Sequence, residues 1–167
     1  LSRRQRQMCI RDSDVTWHNG DPFTAADVKY TYERAATDES LAENHIFKVI
    51  KEVQIIDDYT VRFVTDGPYP TMLSLLSKNG SQVMPSKYIE ENGMDYYLEH
   101  PIGCGPYQFK EWVKDNVVVL ERYDDYFGGT PYWDEVRFRA IPEASTRVAE
   151  LLTGNVDIIV NVPTNEW

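Results

Sequence analysis

Two rhythms of apolar residues divide the chain: strict alternation, and recurrence every three or four positions. Val15 and Trp17 alternate with polar neighbours in VTWHN, which predicts a half-buried strand ending at the turn Asn19-Gly20-Asp21-Pro22. The next run, TAADVKYTYERAA, places Val28, Tyr32 and Ala35 on one helical face. Its start carries two signals. Thr24 stands as N-cap with Asp27 three residues on, close to a capping box, and Phe23 before the cap matches Val28 at the fourth helical position as a hydrophobic staple.

Further along, KEVQIIDDYTVRFVTD reads as two strands around Asp57-Asp58, with Tyr59, Val61 and Phe63 sharing one face. Gly67-Pro68-Tyr69-Pro70 interrupts regular structure before a short apolar helix from Thr71 through Leu76. SKYIEENG predicts another helix, with Ser86 as N-cap and Gly93 as its stop. Past a compositional change at Tyr96 to Pro101, YQFKEWV and NVVVLERY read as strands joined by Lys114-Asp115-Asn116, and Val136, Phe138 and Ala140 alternate with charges in a third. A helix EASTRVAELLTG, opened by Pro142 and closed by Gly154, and a last strand VDIIVN follow. Mixed strands and helices with a β-helix-β ending imply α/β or α+β architecture.

Residues 1–12, LSRRQRQMCIRD, break from this patterning, with four arginines, one acid and no apolar period. They read as a non-native leader and are set aside from the fold. Removing those four arginines and Asp12 takes the net charge from −10 to −13, which disfavours nucleic acid or an anionic membrane as a partner. Cys104 is then the only cysteine left. No run of about 18 apolar residues is present.

Candidate chemistry is sparse. In PIGCGPYQFKEW, Cys104 lies between two glycines, with His100 four positions before it. A phosphate cradle would need consecutive N–H donors and a helix behind them, whereas Pro106 removes a donor and a strand follows. The cysteine therefore reads as a small packed residue in a turn rather than a nucleophile. His18, His45 and His100 stand far apart, and no HExxH, CxxC, calcium loop or GxSxG elbow occurs, so neither a metal, a cofactor nor a catalytic residue is expected. Asp57-Asp58 and Asp124-Asp125 read as turn residues. The aromatic loop YDDYFGGTPYW has rings that could stack on a base or a sugar, or simply pack locally.

Taken in order, VTWHNGDPFTAADVKYTYER, IIDDYTVRF with its proline-rich sequel, PIGCGPYQFKEW, VVVLERYDDYFGGTPYWDEVRFR and ELLTGNVDI resemble the extracytoplasmic solute-binding proteins of family 5, which serve ABC importers. The likeness covers nearly all of residues 13–167. The family's usual PVGTGPY is replaced here by PIGCGPY, with departures at Ile102 and Cys104.

The resemblance implies an α/β, periplasmic-binding-protein-like (type II) fold of two lobes, of which only part of the first lobe is present. Residues 13–98 would be that lobe's extra subdomain and 99–167 part of its core, truncated before the second lobe. It further implies a non-enzymatic protein that captures a peptide or similar small solute by hinge closure and delivers it to a membrane permease. Such a protein would be periplasmic or otherwise extracytoplasmic, held at the membrane if a lipoprotein, and monomeric when complete. Ligands of open α/β sheets lie beyond the carboxyl ends of strands, so Val160, Asn161 and Val162 are the candidate ligand residues. The alternative is a structural or interaction module that has no ligand of its own in this truncated form.

Overall fold

The computed structural model describes residues 15–78 and 80–163, and the backbone of residues 7–9. In chain order the elements are β1 (Gln7–Cys9), α1 (Ala25–Thr37), α2 (Asn44–Phe47), β2 (Ile50–Asp57), β3 (Thr60–Thr65), α3 (Met72–Leu76), α4 (Ser86–Asn92), α5 (Met94–Glu99), β4 (Tyr107–Val113), β5 (Val117–Arg122), β6 (Glu135–Arg139) and α6 (Ala144–Leu152). The strands form two antiparallel sheets, ordered β1-β3-β2 and β4-β5-β6.

α1 begins where the sequence signals place it. The Asp27 carboxylate accepts a hydrogen bond from the Thr24 N–H at 2.9 Å, and both staple residues, Phe23 and Val28, are buried. The buried stripe of α1 joins the inner face of β2 and β3 in one core that includes Tyr32, Phe47, Val53, Val61 and Phe63. Tyr32 packs edge-on to Phe63, and its hydroxyl donates to the Ser81 carbonyl at 2.8 Å. Burial pushes the Tyr32 phenol up to about 12.

α1 also organises the chain that follows α3. Thr31 Oγ1 accepts from the Met84 N–H (2.8 Å), and Asp27 Oδ1 accepts from both Ser86 N–H (2.8 Å) and Ser86 Oγ (2.7 Å). The N-cap expected at Ser86 is therefore corrected: Pro85 takes the cap position, and the Ser86 hydroxyl turns to Asp27 instead of its own helix. Gly93 ends α4 as expected, at φ 89°, and α5 follows at once in a stretch with no helical signal of its own.

Two strand expectations are also corrected. VTWHN makes only an isolated bridge, Thr16 to Pro22, because its backbone folds onto its own turn: Phe23 N–H bonds Val15 C=O and Trp17 N–H bonds Asp21 C=O. VDIIVN forms no strand, since no other strand among the described residues pairs with it. Within the segment set aside as a leader, β1 pairs antiparallel with β3, Met8 opposite Val61.

The second sheet is sided. Cross-strand neighbours put Phe109, Leu120 and Val136 in one row and Trp112, Val118 and Phe138 in the next, all on the same face. The other face is mostly polar, with Gln108, Glu121 and Glu135 in one row. A bulge between Phe109 and Glu111 creates this sidedness. Phe109 and Trp112 are three positions apart and would point to opposite faces of a regular strand, but dropping Lys110 out of the ladder brings them together. The Lys110 ammonium bonds Glu135 at 2.9 Å.

Candidate functional site

The 15–23 turn meets the GCG loop through His18. The His18 N–H donates to the Gly103 carbonyl (2.8 Å), and the Gly103 N–H donates to Nδ1 of the His18 ring (3.1 Å). With Nδ1 accepting, Nε2 carries the hydrogen and donates to the Gly105 carbonyl at 3.0 Å. Tyr123 lies against the ring at a centroid distance of 4.9 Å, and its hydroxyl bonds Thr16 Oγ1 at 3.1 Å. His18 is thus a latch between the 15–23 turn and the loop that feeds β4. His18→Ala is expected to lower stability by about 1–2 kcal/mol, the usual worth of two hydrogen bonds, and to expose the 101–105 loop to hydrogen exchange. Unchanged protection at Gly103 would contradict that role.

Between this loop and the apolar sheet face lies an open groove of about 520 Å³. Phe109, Trp112, Val118 and Leu120 form its floor, with His18, Ile102 and Gly103 on its wall. Its surface is largely apolar and carries no cluster suited to acid, base or metal chemistry. Among the described residues no group of His, Cys, Asp and Glu could hold a metal ion. The Cys104 thiol is half-buried against the core, and that burial pushes its pKa up, away from the thiolate a nucleophile needs. His100 stacks on Tyr96 at 4.3 Å. The aromatic loop is closed on itself by Arg122, which bridges Asp124 and Asp134, and Trp133 N–H donates to the Tyr107 hydroxyl at 3.3 Å.

The sequence-predicted ligand residues lie on the irregular stretch after α6. Val160 is 68% exposed, Asn161 is exposed with a left-handed backbone (φ 55°), and Val162 is half-buried. The structure ties this stretch to the start of α6. Nη1 of Arg147 donates to the carbonyls of Ile141 (2.9 Å) and Pro142 (2.8 Å), and Nη2 donates to that of Asn161 (3.3 Å). Sequence reasoning passed over Arg147, although a signal was there. A cation at the fourth position of a helix sits near the positive end of the helix dipole, so its place needs another explanation.

The sequence profile of the bacterial extracellular solute-binding proteins, family 5 Middle, matches residues 10–167. The chain belongs to this family. The oligopeptide-binding protein AppA of Bacillus subtilis is 34% identical over 161 residues, which cover 92% of this chain and 29% of that protein. Among solved structures, MoaA of A. tumefaciens R10 in complex with mannopinic acid is similar at a TM-score of 0.83 and 28% identity, over 90% of this chain and 31% of that one. NikZ of Campylobacter jejuni in complex with Ni(L-His) is similar at 0.80 and 28%, over 90% and 30%. The α/β fold is therefore that of part of a periplasmic binding protein, and the chain spans under a third of the length of these relatives.

Proposed function

We propose that this chain is part of the solute-binding component of an ABC import system, which captures a peptide or similar small solute outside the cytoplasmic membrane and passes it to a permease. The observation that carries this reading is family membership across residues 10–167. In this reading residues 13–98 are the extra subdomain and 99–167 part of the first-lobe core, and Val160, Asn161 and Val162 approach the ligand. The ligands named for these relatives, an oligopeptide, mannopinic acid and Ni(L-His), differ widely in size and chemistry. Specificity then lies largely in contacts made elsewhere in the complete polypeptide.

Closure follows from differential affinity: a ligand touching both lobes stabilises the closed state by the contacts the open state lacks. On adding a pool of short peptides, the complete polypeptide is expected to contract in solution scattering. Tight binding of a solute with no contraction would overturn hinge closure. The 167-residue chain alone, with one side of the cleft, is expected to bind tri-alanine no tighter than about 1 mM, a free energy near −4 kcal/mol. A micromolar complex in calorimetry would contradict the division of the site between two lobes. The uncovered apolar face of β4-β5-β6 supports the alternative of an interaction module for the chain in isolation.

A further inference from the structure

We propose that Arg147 is the positioning residue of the candidate ligand segment: its guanidinium fastens the carbonyl of Asn161 to the Ile141–Pro142 turn and so fixes where Val160 and Val162 stand. The inference rests on the reading that Val160–Val162 meet the solute, and it adds the residue that holds them there.

The segment has little else to hold it. It follows α6 without joining a sheet, and Ile158 and Val160 are largely exposed. At its near end, Asn155 N–H bonds the Glu150 carbonyl at 2.9 Å, while Arg139 pairs with Glu150 at 2.9 Å. At its far end the chain turns at Asn161, whose φ of 55° is the left-handed conformation that asparagine tolerates better than most non-glycine residues. The carbonyl at that turn is held by Arg147, whose planar guanidinium offers several donors in a fixed fork and here spends three bonds on main-chain carbonyls. Among the described residues Arg147 forms no ion pair, so its charge is directed wholly at carbonyl dipoles. Two of those carbonyls belong to the turn between β6 and α6, and the third to the segment after α6. A single side chain therefore bridges the two ends of α6, tying the segment that leaves the helix to the turn that enters it.

This arrangement predicts a local effect that a helix-stabilising role would not produce. The 167-residue chain, labelled at Val and Ala methyl groups, reads both ends of α6 and the segment by NMR. Arg147→Ala is expected to collapse the Val160 and Val162 methyl shifts to those of unstructured chain, while Ala144 and Ala149 keep theirs. Arg147→Lys is expected to recover only part of the dispersion, since an ammonium cannot fork across the same three oxygens. Wild-type shifts at Val160 and Val162 in Arg147→Ala would overturn the clamp, as would movement of those methyls only in step with Ala144 and Ala149. Tri-alanine at millimolar concentration then tests the ligand role separately. It is expected to perturb Val160 and Val162 in the wild type and to lose that perturbation in Arg147→Ala. Peptide perturbation confined to other residues of the wild type would sink the placement of the solute at 160–162 and leave the clamp, read without peptide, standing.

Discussion

Asp27→Ala is expected to lower the unfolding free energy by about 3–5 kcal/mol, because it strands several buried donors at about 1–3 kcal/mol each. Asp27 is only 4% exposed, and its two oxygens divide the work. Oδ2 accepts from the Thr24 N–H and, at 3.3 Å, from Trp17 Nε1; Oδ1 accepts from Ser86 N–H and Oγ. Three segments, the 15–23 turn, the start of α1 and the start of α4, thus meet on one side chain. Alanine would strand two main-chain donors and an indole N–H. Asp27→Asn cannot repair the site, because either amide orientation points an NH2 group at one pair of donors. Urea unfolding followed by far-UV circular dichroism reads the loss for both variants. A shift below about 1 kcal/mol for alanine, the worth of one ordinary hydrogen bond, would contradict the hub.

Asp27 also marks how far the fold was legible in the sequence. Its capping role follows from the three-residue spacing to Thr24, which is local chemistry. Its bond to Ser86 joins positions 59 apart and leaves no spacing signal, so Ser86 was read as a cap for its own helix. The hairpin of β2 and β3 was legible because Val61 and Phe63 alternate into the core. The bulge at Lys110 was not, since FKEW fits neither strand period until one residue is dropped from the ladder. For VDIIVN the alternation was real, but a strand exists only by pairing, and Arg147 holds that stretch to the β6-α6 turn instead. The candidate site divides in the same way. The candidate ligand residues Val160, Asn161 and Val162 rest on the general placement of ligands beyond strand ends, whereas the contact of Arg147 with this segment depends on a carbonyl fourteen positions away and leaves no spacing signal.

The apolar face that the bulge creates is expected to dominate the solution behaviour of the chain. Trp112 is 56% exposed and Phe138 59%, and they stand in the same cross-strand row on either side of Val118. The first sheet has α1 packed against it, and its inner face belongs to the main buried core; the second contributes little beyond Val119 to the buried apolar residues. Acidic net charge opposes association at long range, but it is screened within about 8 Å at physiological salt and leaves contact between apolar faces favourable. The isolated chain is therefore expected to bind a hydrophobic fluorescent dye and to self-associate as concentration rises. Truncating two aromatic anchors at the centre of such a contact costs about 2 kcal/mol each, so Trp112→Ser with Phe138→Ser should weaken self-association several hundredfold in sedimentation equilibrium. The same pair should leave the urea midpoint of the first sheet's core nearly unchanged, because neither residue belongs to that core. In the complete polypeptide the wild-type dye signal should be absent, since the reading as a partial lobe has further chain covering this face. Equal dye binding by the isolated chain and the complete polypeptide would show the face to be open in both, and would favour the interaction module over the partial lobe.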